Sequence, residues 1–398
     1  MDPSFESGSL PDTVPDITKG YDSDASWSSV WPSTLHTLWS VYGDATPVAK
    51  FWPDVMAYVN HTLAGIDPAG DVFHQFGDWC PPPEVQNGGQ GPKPNASFTA
   101  TASFLDDMTH IIEMAQALNA PELASLQASR AALMATFTKN YKNAAGWWGT
   151  SPTDGAQTAQ SVALAIGAVP AADTQTVVDY LTADIAKHNG KLSVGIIGQK
   201  YFTRQLTANG NAWLAANISL QTEYPSFGWT FNHPTEPATT LWELWDGPSE
   251  GPGMNSRNHI MQGAIGVWLY ADVLGISQQP GTVGFGKLLL WPRVTVHENL
   301  PSASGSFDSI HGRIELAWSN ATSYFTLAAT VPTNAVAEVR IPFPTGAAVT
   351  ASEGGVSIFA AGAYKPGVPG ITGAAIDAAS GTLVITVGSG VFAFNATW

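Results

Sequence analysis

The residues best suited to chemistry gather around one acidic side chain. Glu243 sits in Ala238-Thr239-Thr240-Leu241-Trp242-Glu243-Leu244-Trp245-Asp246-Gly247. An indole to either side gives a carboxylate a low-dielectric wall, the setting in which acid–base groups are tuned. A lone Glu is ordinarily a solvated helix position, but Leu241, Trp242, Leu244 and Trp245 do not surround a solvated side chain on a free surface. Upstream, Phe76-Gly77-Asp78-Trp79-Cys80-Pro81-Pro82-Pro83 can hold Asp78 against a ligand hydroxyl while Trp79 forms a flat wall. Taken alone, Gly-Asp-Trp reads more plainly as a loop capped by its own Asp. Downstream, Gly253-Met254-Asn255-Ser256-Arg257-Asn258-His259 runs into Gly263-Ala264-Ile265-Gly266-Val267-Trp268. Asn258 and His259 at a helix start can donate hydrogen bonds to a ligand. Equally, Asn258 caps the helix and His259 packs beside it; the residues leave both readings open. The turn Tyr224-Pro225-Ser226-Phe227-Gly228-Trp229 precedes the Glu243 segment, and Asp154-Gly155-Ala156-Gln157-Thr158-Ala159-Gln160 opens what is chiefly a packing helix.

These residues need a scaffold, and from Ser26 to about Leu274 the apolar period is helical. Helices are expected over Ser33–Tyr42, Val48–Ala64, Phe98–Leu118, Ala120–Asn140, Thr158–Ala168, Asp173–His188, Ile196–Ala208, Asn211–Gln221 and His259–Val273. Asn209-Gly210, Asn189-Gly190 and Val169-Pro170 mark stops. Long aromatic loops, 71–96 and 223–258, carry the candidate residues. Short and long loops in alternation point to an α/α toroid with the long loops converging on one end. After Gln278-Gln279-Pro280-Gly281 the pattern changes to short alternating runs: Lys287–Trp291, Ile314–Trp318, Tyr324–Val331, Ala335–Ile341, Val356–Phe359, Thr382–Val387 and Val391–Asn395. That is the pattern of an antiparallel sandwich. The expected fold is mainly α with a β domain, divided as 1–277 and 278–398.

Composition narrows the partners. The 398 residues are 44% hydrophobic and 12% charged, too apolar for a disordered chain. A net charge of −16 repels phosphate backbones and anionic membranes, so a neutral substrate fits better than nucleic acid. No apolar run is long enough to span a bilayer. Fifteen Trp suit the C–H faces of sugars, although most Trp in any chain pack in cores. The single Cys80 excludes an internal disulfide framework. Sequons at Asn60, Asn95, Asn217, Asn320 and Asn395 are compatible with secretion, while the N-terminal residues show no signal peptide. No motif calls for a metal or cofactor, and the oligomeric state is left open.

In order and spacing, the quoted segments closely resemble glycoside hydrolase family 78, the α-L-rhamnosidases, over roughly Gly8 to Gly312. That family carries a Gly-Asp-Trp loop, a Gln-Thr-Ala helix, a Tyr-Pro-Ser-aromatic-Gly turn, a Thr-Thr-(Ile/Leu)-Trp-Glu-x-Trp-Asp-Gly motif and an Asn-Ser-x-Asn-His helix. The run from His188 to Gly198, ahead of Tyr201, also follows its pattern. The resemblance implies an (α/α)6 barrel lacking its first helices, followed by a β-sandwich. It implies inverting hydrolysis of a terminal non-reducing α-L-rhamnoside, with Glu243 as general base. It makes Trp27 and Trp79 walls of the sugar pocket, places Asp78 and Trp242 at the substrate, and makes His259 a hydroxyl contact. Two departures stand out. Where the family has Trp-Gly-Asp-Ala, this chain reads Trp27-Ser28-Ser29-Val30. The family's acid-bearing signature, Asp-Cys-Pro-x-Arg-Asp-Glu-Arg, does not occur. The general acid that an inverting pair needs is therefore expected to be missing. A non-catalytic rhamnoside-binding relative and another (α/α)6 glycosidase are the alternative readings.

Overall fold

A computed structural model describes residues 8–12, 24–83, 91–247, 256–295 and 297–398. The Gly253–Asn255 part of the segment leading to His259 lies outside the described residues. The chain divides into two compact units. One comprises the residues up to Thr37, Ala45–Asn209 and Ile218–Ala264; the other comprises Leu38–Asp44, Gly210–Asn217 and Ile265–Trp398.

The helices in chain order are α1 (Ala25–Ser28), α2 (Val30–Tyr42), α3 (Thr46–Ala64), α4 (Ala96–Leu118), α5 (Leu123–Tyr141), α6 (Ala156–Ala165), α7 (Thr174–Lys187), α8 (Ile196–Gln199), α9 (Phe202–Ala208), α10 (Ala212–Ser219), α11 (Phe227–Phe231) and α12 (Ile265–Trp268). Two of the longer ones contain wholly buried runs. Every residue of α4 from Ser97 to Leu105 is buried, and so is α6 from Ala156 to Ala163. A surface helix buries only a stripe, so these two have neighbours all round, and their Ala, Ser and Thr content allows close approach. Asn95 starts α4 by accepting from the Ser97 N–H, and Asn119 ends it in the left-handed region.

Two helical expectations need correction. Ile196–Ala208 is not one helix: α8 and α9 are separated at Lys200-Tyr201. At that break both side chains reach the same Asp106 oxygen, Lys200 Nζ at 2.7 Å and the Tyr201 hydroxyl at 2.8 Å. The expected helix from His259 to Val273 is a composite of a 3-10 turn (Ile260–Ala264), α12 and a π turn (Leu269–Leu274). Gly263 and Gly266 fall inside it and weaken a regular helix.

The second unit holds β1 (Ile276–Gln278), β2 (Lys287–Leu290), β3 (Ser302–Ser309), β4 (Gly312–Asn320), β5 (Tyr324–Val331), β6 (Val336–Pro342), β7 (Thr350–Glu353), β8 (Val356–Ala360), β9 (Ala363–Tyr364), β10 (Ile371–Asp377), β11 (Thr382–Val387) and β12 (Gly390–Thr397). They form a five-stranded sheet, β1-β2-β6-β11-β10, and a seven-stranded sheet, β3-β4-β5-β12-β7-β8-β9. Alternate residues of β2, β4, β5, β6, β11 and β12 enter one core. Ile314, Leu316 and Trp318 of β4, Phe325 and Leu327 of β5, and Val339 and Ile341 of β6 are all buried there. Each such side chain contributes about 1.5–3 kcal/mol by leaving water. Pairing is antiparallel except between β2 and β6, which run parallel with Leu290 opposite Val339. The chain leaves β2 to build three strands of the other sheet before returning beside it, and that crossover sets the direction.

Candidate active site

The site is built by fastening a loop with buried carboxylates. Asp24, fully buried, caps α1 through the Ser26 N–H and accepts from the backbone N–H groups of Gln75 and Phe76 at 2.7 and 2.9 Å. Two residues on, Asp78 is also fully buried. Its Oδ1 accepts from the N–H groups of Ile197 and Gly198, and its Oδ2 from the N–H of Gly195 and the Thr158 hydroxyl. Burial pushes the Asp78 carboxyl above its ordinary range, against the pull of these four donors. The approach is close: a Cβ on Gly195 would lie 2.3 Å from the Trp79 carbonyl oxygen, and one on Gly198 would lie 2.3 Å from Thr158 Oγ1. Gly77 and Cys80 on either side of Asp78-Trp79 adopt positive φ, 73° and 55°. Lys93 adds a fastening, with Nζ 3.0 Å from the Phe76 carbonyl and 5.2 Å from the Trp79 ring centre.

Against this loop stands Glu243, 8% exposed. Trp79 Nε1 donates to its Oε1 at 2.8 Å, and the Ser256 N–H donates to its Oε2 at 2.8 Å. His259 Nδ1 lies 3.5 Å from Oε2, and Cys80 Sγ lies 3.8 Å from Oε1. The backbone imposes this meeting. The Glu243 N–H donates to Ser256 O at 2.8 Å, the His259 N–H donates to Leu241 O at 2.7 Å, and the Thr240 hydroxyl bonds Arg257 O. Donors at both oxygens fix the plane of the carboxylate. His259 Nε2 is buried without a hydrogen-bond partner among the described residues.

The expected site residues therefore divide. Trp79, Glu243 and His259 come together. Trp27 joins at one remove: its ring lies 4.6 Å from Phe76, which meets Trp79 edge-on at 6.0 Å. Asp78 does not reach outward, because both oxygens are used in holding residues 195–198. Trp242 is 6% exposed, with its ring 5.6 Å from His233 and packed on Gly247, where a Cβ would fall 2.0 Å away. Trp245 packs edge-on against Phe227 at 5.1 Å. Sequence reasoning missed Asp24, Phe76, Lys93 and Thr158 as parts of the site. Phe76 and Thr158 had a signal, as the aromatic preceding Gly-Asp-Trp and as part of the Gln-Thr-Ala helix. Among the described residues no group of three His, Cys, Asp or Glu side chains could hold a metal ion, and no helix is long and apolar enough to cross a membrane.

Such an arrangement offers an oriented proton acceptor beside aromatic walls. A family model described as the bacterial α-L-rhamnosidase six-hairpin glycosidase domain matches residues 1–273, and one for the bacterial α-L-rhamnosidase C-terminal domain matches 275–355. An α-L-rhamnosidase of Streptomyces avermitilis is 28% identical over 346 residues, which is 86% of this chain and 32% of that one. One from Formosa agariphila is 26% identical over 344 residues, 85% of this chain and 36% of that one. The chain thus spans about a third of the length of the curated relatives it matches. The structure of the α-L-rhamnosidase from Dictyoglumus thermophilum superposes with a TM-score of 0.85 at 27% identity, covering 99% of this chain and 42% of that one. That of the Streptomyces avermitilis enzyme complexed with L-rhamnose gives 0.80 at 26%, covering 98% and 34%.

Proposed function

Because the chain belongs to the bacterial α-L-rhamnosidase six-hairpin glycosidase family, we propose that it acts in hydrolysing terminal, non-reducing α-L-rhamnosides with inversion, Glu243 serving as general base. The observation that carries the reading is the Glu243 carboxylate, oriented by Trp79 Nε1 and the Ser256 N–H beside His259. Glu243 takes a proton from water as the water oxygen bonds to the anomeric carbon and the glycosidic bond breaks on the opposite face. The departing oxygen takes its proton from a general acid, placed about 6.5–9.5 Å from the base in inverting enzymes. The family's acid-bearing signature is not in this sequence, so the chain contributes the base side of the pair. Trp79 and Trp27 wall the sugar, and His259 Nε2 contacts a hydroxyl. Asp78 and Trp242 act at one remove, by holding the loops that carry Trp79 and Glu243.

The test is release of an aryl leaving group from an aryl α-L-rhamnoside by the full chain and by Glu243→Gln. The substitution keeps shape but removes the proton acceptor, and general-base loss is worth about 10²–10⁴-fold in rate. Turnover should fall by that amount while L-rhamnose still binds. A second reading, a rhamnoside-binding relative without catalysis, is favoured by the same missing acid signature. Saturable L-rhamnose binding with no turnover by the unaltered chain selects it.

A further inference from the structure

The β-rich unit contains a cavity of about 630 Å³ whose walls include His297, Glu298, Pro342, Phe343, Pro344 and Trp398. His297 is 4% exposed. Its Nδ1 accepts from the Asn299 N–H at 3.1 Å, so the proton of the neutral ring sits on Nε2. That Nε2 is buried without a hydrogen-bond partner among the described residues. Buried donors are nearly always satisfied in folded proteins, and the ring that carries this one belongs to the cavity wall. The surroundings are fixed in advance. Trp213 stacks on the His297 ring at 5.3 Å and 22°, and its Nε1 donates to Glu298 Oε2 at 3.0 Å. Trp398 Nε1 donates to the Thr322 carbonyl at 3.1 Å, while Trp398 and Phe343 each lay one side against the sandwich core.

The cavity thus has rigid aromatic and proline walls, one unsatisfied donor and one carboxylate at its edge, with no Lys or Arg among its described wall residues. A pyranose presents C–H faces to flat rings and hydroxyls to such edge groups, and ligand sites of this volume follow that plan. A polyanion would meet Glu298 without a compensating cation. We propose that this cavity is a second saccharide-binding site for a neutral pyranoside, with Trp398 as the stacking surface and His297 Nε2 donating to a sugar oxygen. The proposal stands independently of the reading at Glu243.

Ligand-observed saturation-transfer NMR and calorimetry on the full chain test it, with methyl α-L-rhamnopyranoside and methyl β-D-galactopyranoside as probes. At least one probe should bind saturably, and Trp398→Ala should weaken that binding about tenfold, the scale of a lost aromatic contact. His297→Leu should weaken it similarly, whereas His297→Gln, which keeps an N–H donor, should retain most of it. Trp79→Ala, which removes a wall of the other site, should leave this binding unchanged, and Trp398→Ala should leave aryl rhamnoside turnover unchanged. Should Trp398→Ala or His297→Leu fail to fold by circular dichroism, Phe343→Ala, at a part-buried wall residue, takes their place with the same expected loss. Absence of binding by either probe, or binding indifferent to the folded variants of this wall, overturns the proposal. Binding abolished by Trp79→Ala assigns it to the other site and overturns it equally.

Discussion

Trp79 and Glu243, 164 positions apart in sequence, are joined by a 2.8 Å hydrogen bond from the indole Nε1 to Oε1. The bond ties the loop after residue 75 to the carboxylate that we propose as the general base. Trp79→Phe keeps an aromatic ring and removes the donor. A hydrogen bond to a charged group is worth about 1.5–3 kcal/mol, or roughly 10–150-fold in rate. The variant should therefore lose kcat on an aryl α-L-rhamnoside by about 10–100-fold, with KM and thermal midpoint little changed. An unchanged kcat would show that Trp79 shapes the pocket without orienting Glu243.

Asp78 fastens that loop from beneath. Asp78→Ala would strand three backbone N–H groups and the Thr158 hydroxyl in a buried place. Each unsatisfied buried group costs about 1–3 kcal/mol, so urea denaturation should show a loss of ~3 kcal/mol or more. Gly195→Ala should cost about 1–3 kcal/mol by overpacking alone, because Gly195 has φ −84°, open to any residue, while the new Cβ would meet Trp79 O at 2.3 Å. A stable Asp78→Ala protein with weakened L-rhamnose binding would instead make Asp78 a direct sugar contact.

What the sequence disclosed follows from which interactions are local. Helical and alternating periods belong to short stretches, so α4, α5, α7, β4, β5, β6, β11 and β12 were legible within a few residues. Strands β3 and β10 were not, because Ser302–Ser309 and Ile371–Asp377 lack a buried apolar alternation. The parallel placing of β2 beside β6 depends on a crossover that no local pattern encodes. At the site, Trp79, Glu243 and His259 stand in recognisable motifs. Asp78 and Trp242 stand in the same motifs, yet face into the scaffold. Motif spacing gives the neighbours of a residue in the chain; the direction of its side chain depends on distant donors such as Gly195 and Gly198, or on a distant ring such as His233. Asp24 and Lys93 had no motif at all.

Asp106 offers a pH prediction away from Glu243. Burial raises its carboxyl, but the charges of Lys200 and His110 and hydrogen bonds from Lys200 Nζ and the Tyr201 hydroxyl hold it, on balance, below the ordinary carboxylate range. A carboxyl with a lowered folded-state pKa stabilises the fold above its unfolded value, about pH 4, and that contribution fades as pH falls through the lower folded value. Asp106→Asn should therefore melt below the unaltered protein at pH 6–7, and the gap should narrow steadily below about pH 4. A gap that stays constant across that range would show the effect to be packing rather than charge.

The most discriminating prediction concerns leaving groups. An aryl α-L-rhamnoside expels a stabilised phenolate and depends little on protonation, whereas a rhamnosyl-glucose bond expels a poor alkoxide and depends on it heavily. General acid assistance is worth about 10²–10⁴-fold. If Glu243 supplies the base and these 398 residues carry no general acid, the chain should release the aryl group slowly and cleave rhamnosyl-glucose slower still by about that factor. Supplying the acid-bearing segment of a relative in the same polypeptide should recover the second rate far more than the first. Azide gives an independent check. As a small nucleophile needing no deprotonation, it should restore aryl rhamnoside turnover to Glu243→Gln, producing a rhamnosyl azide of inverted configuration, because the lost group served only to activate water on that face. Equal, rapid cleavage of both substrates by the chain would require an acid within it. The buried carboxylates would then be examined by substitution, beginning with Asp246, which is 1% exposed and three residues from the base.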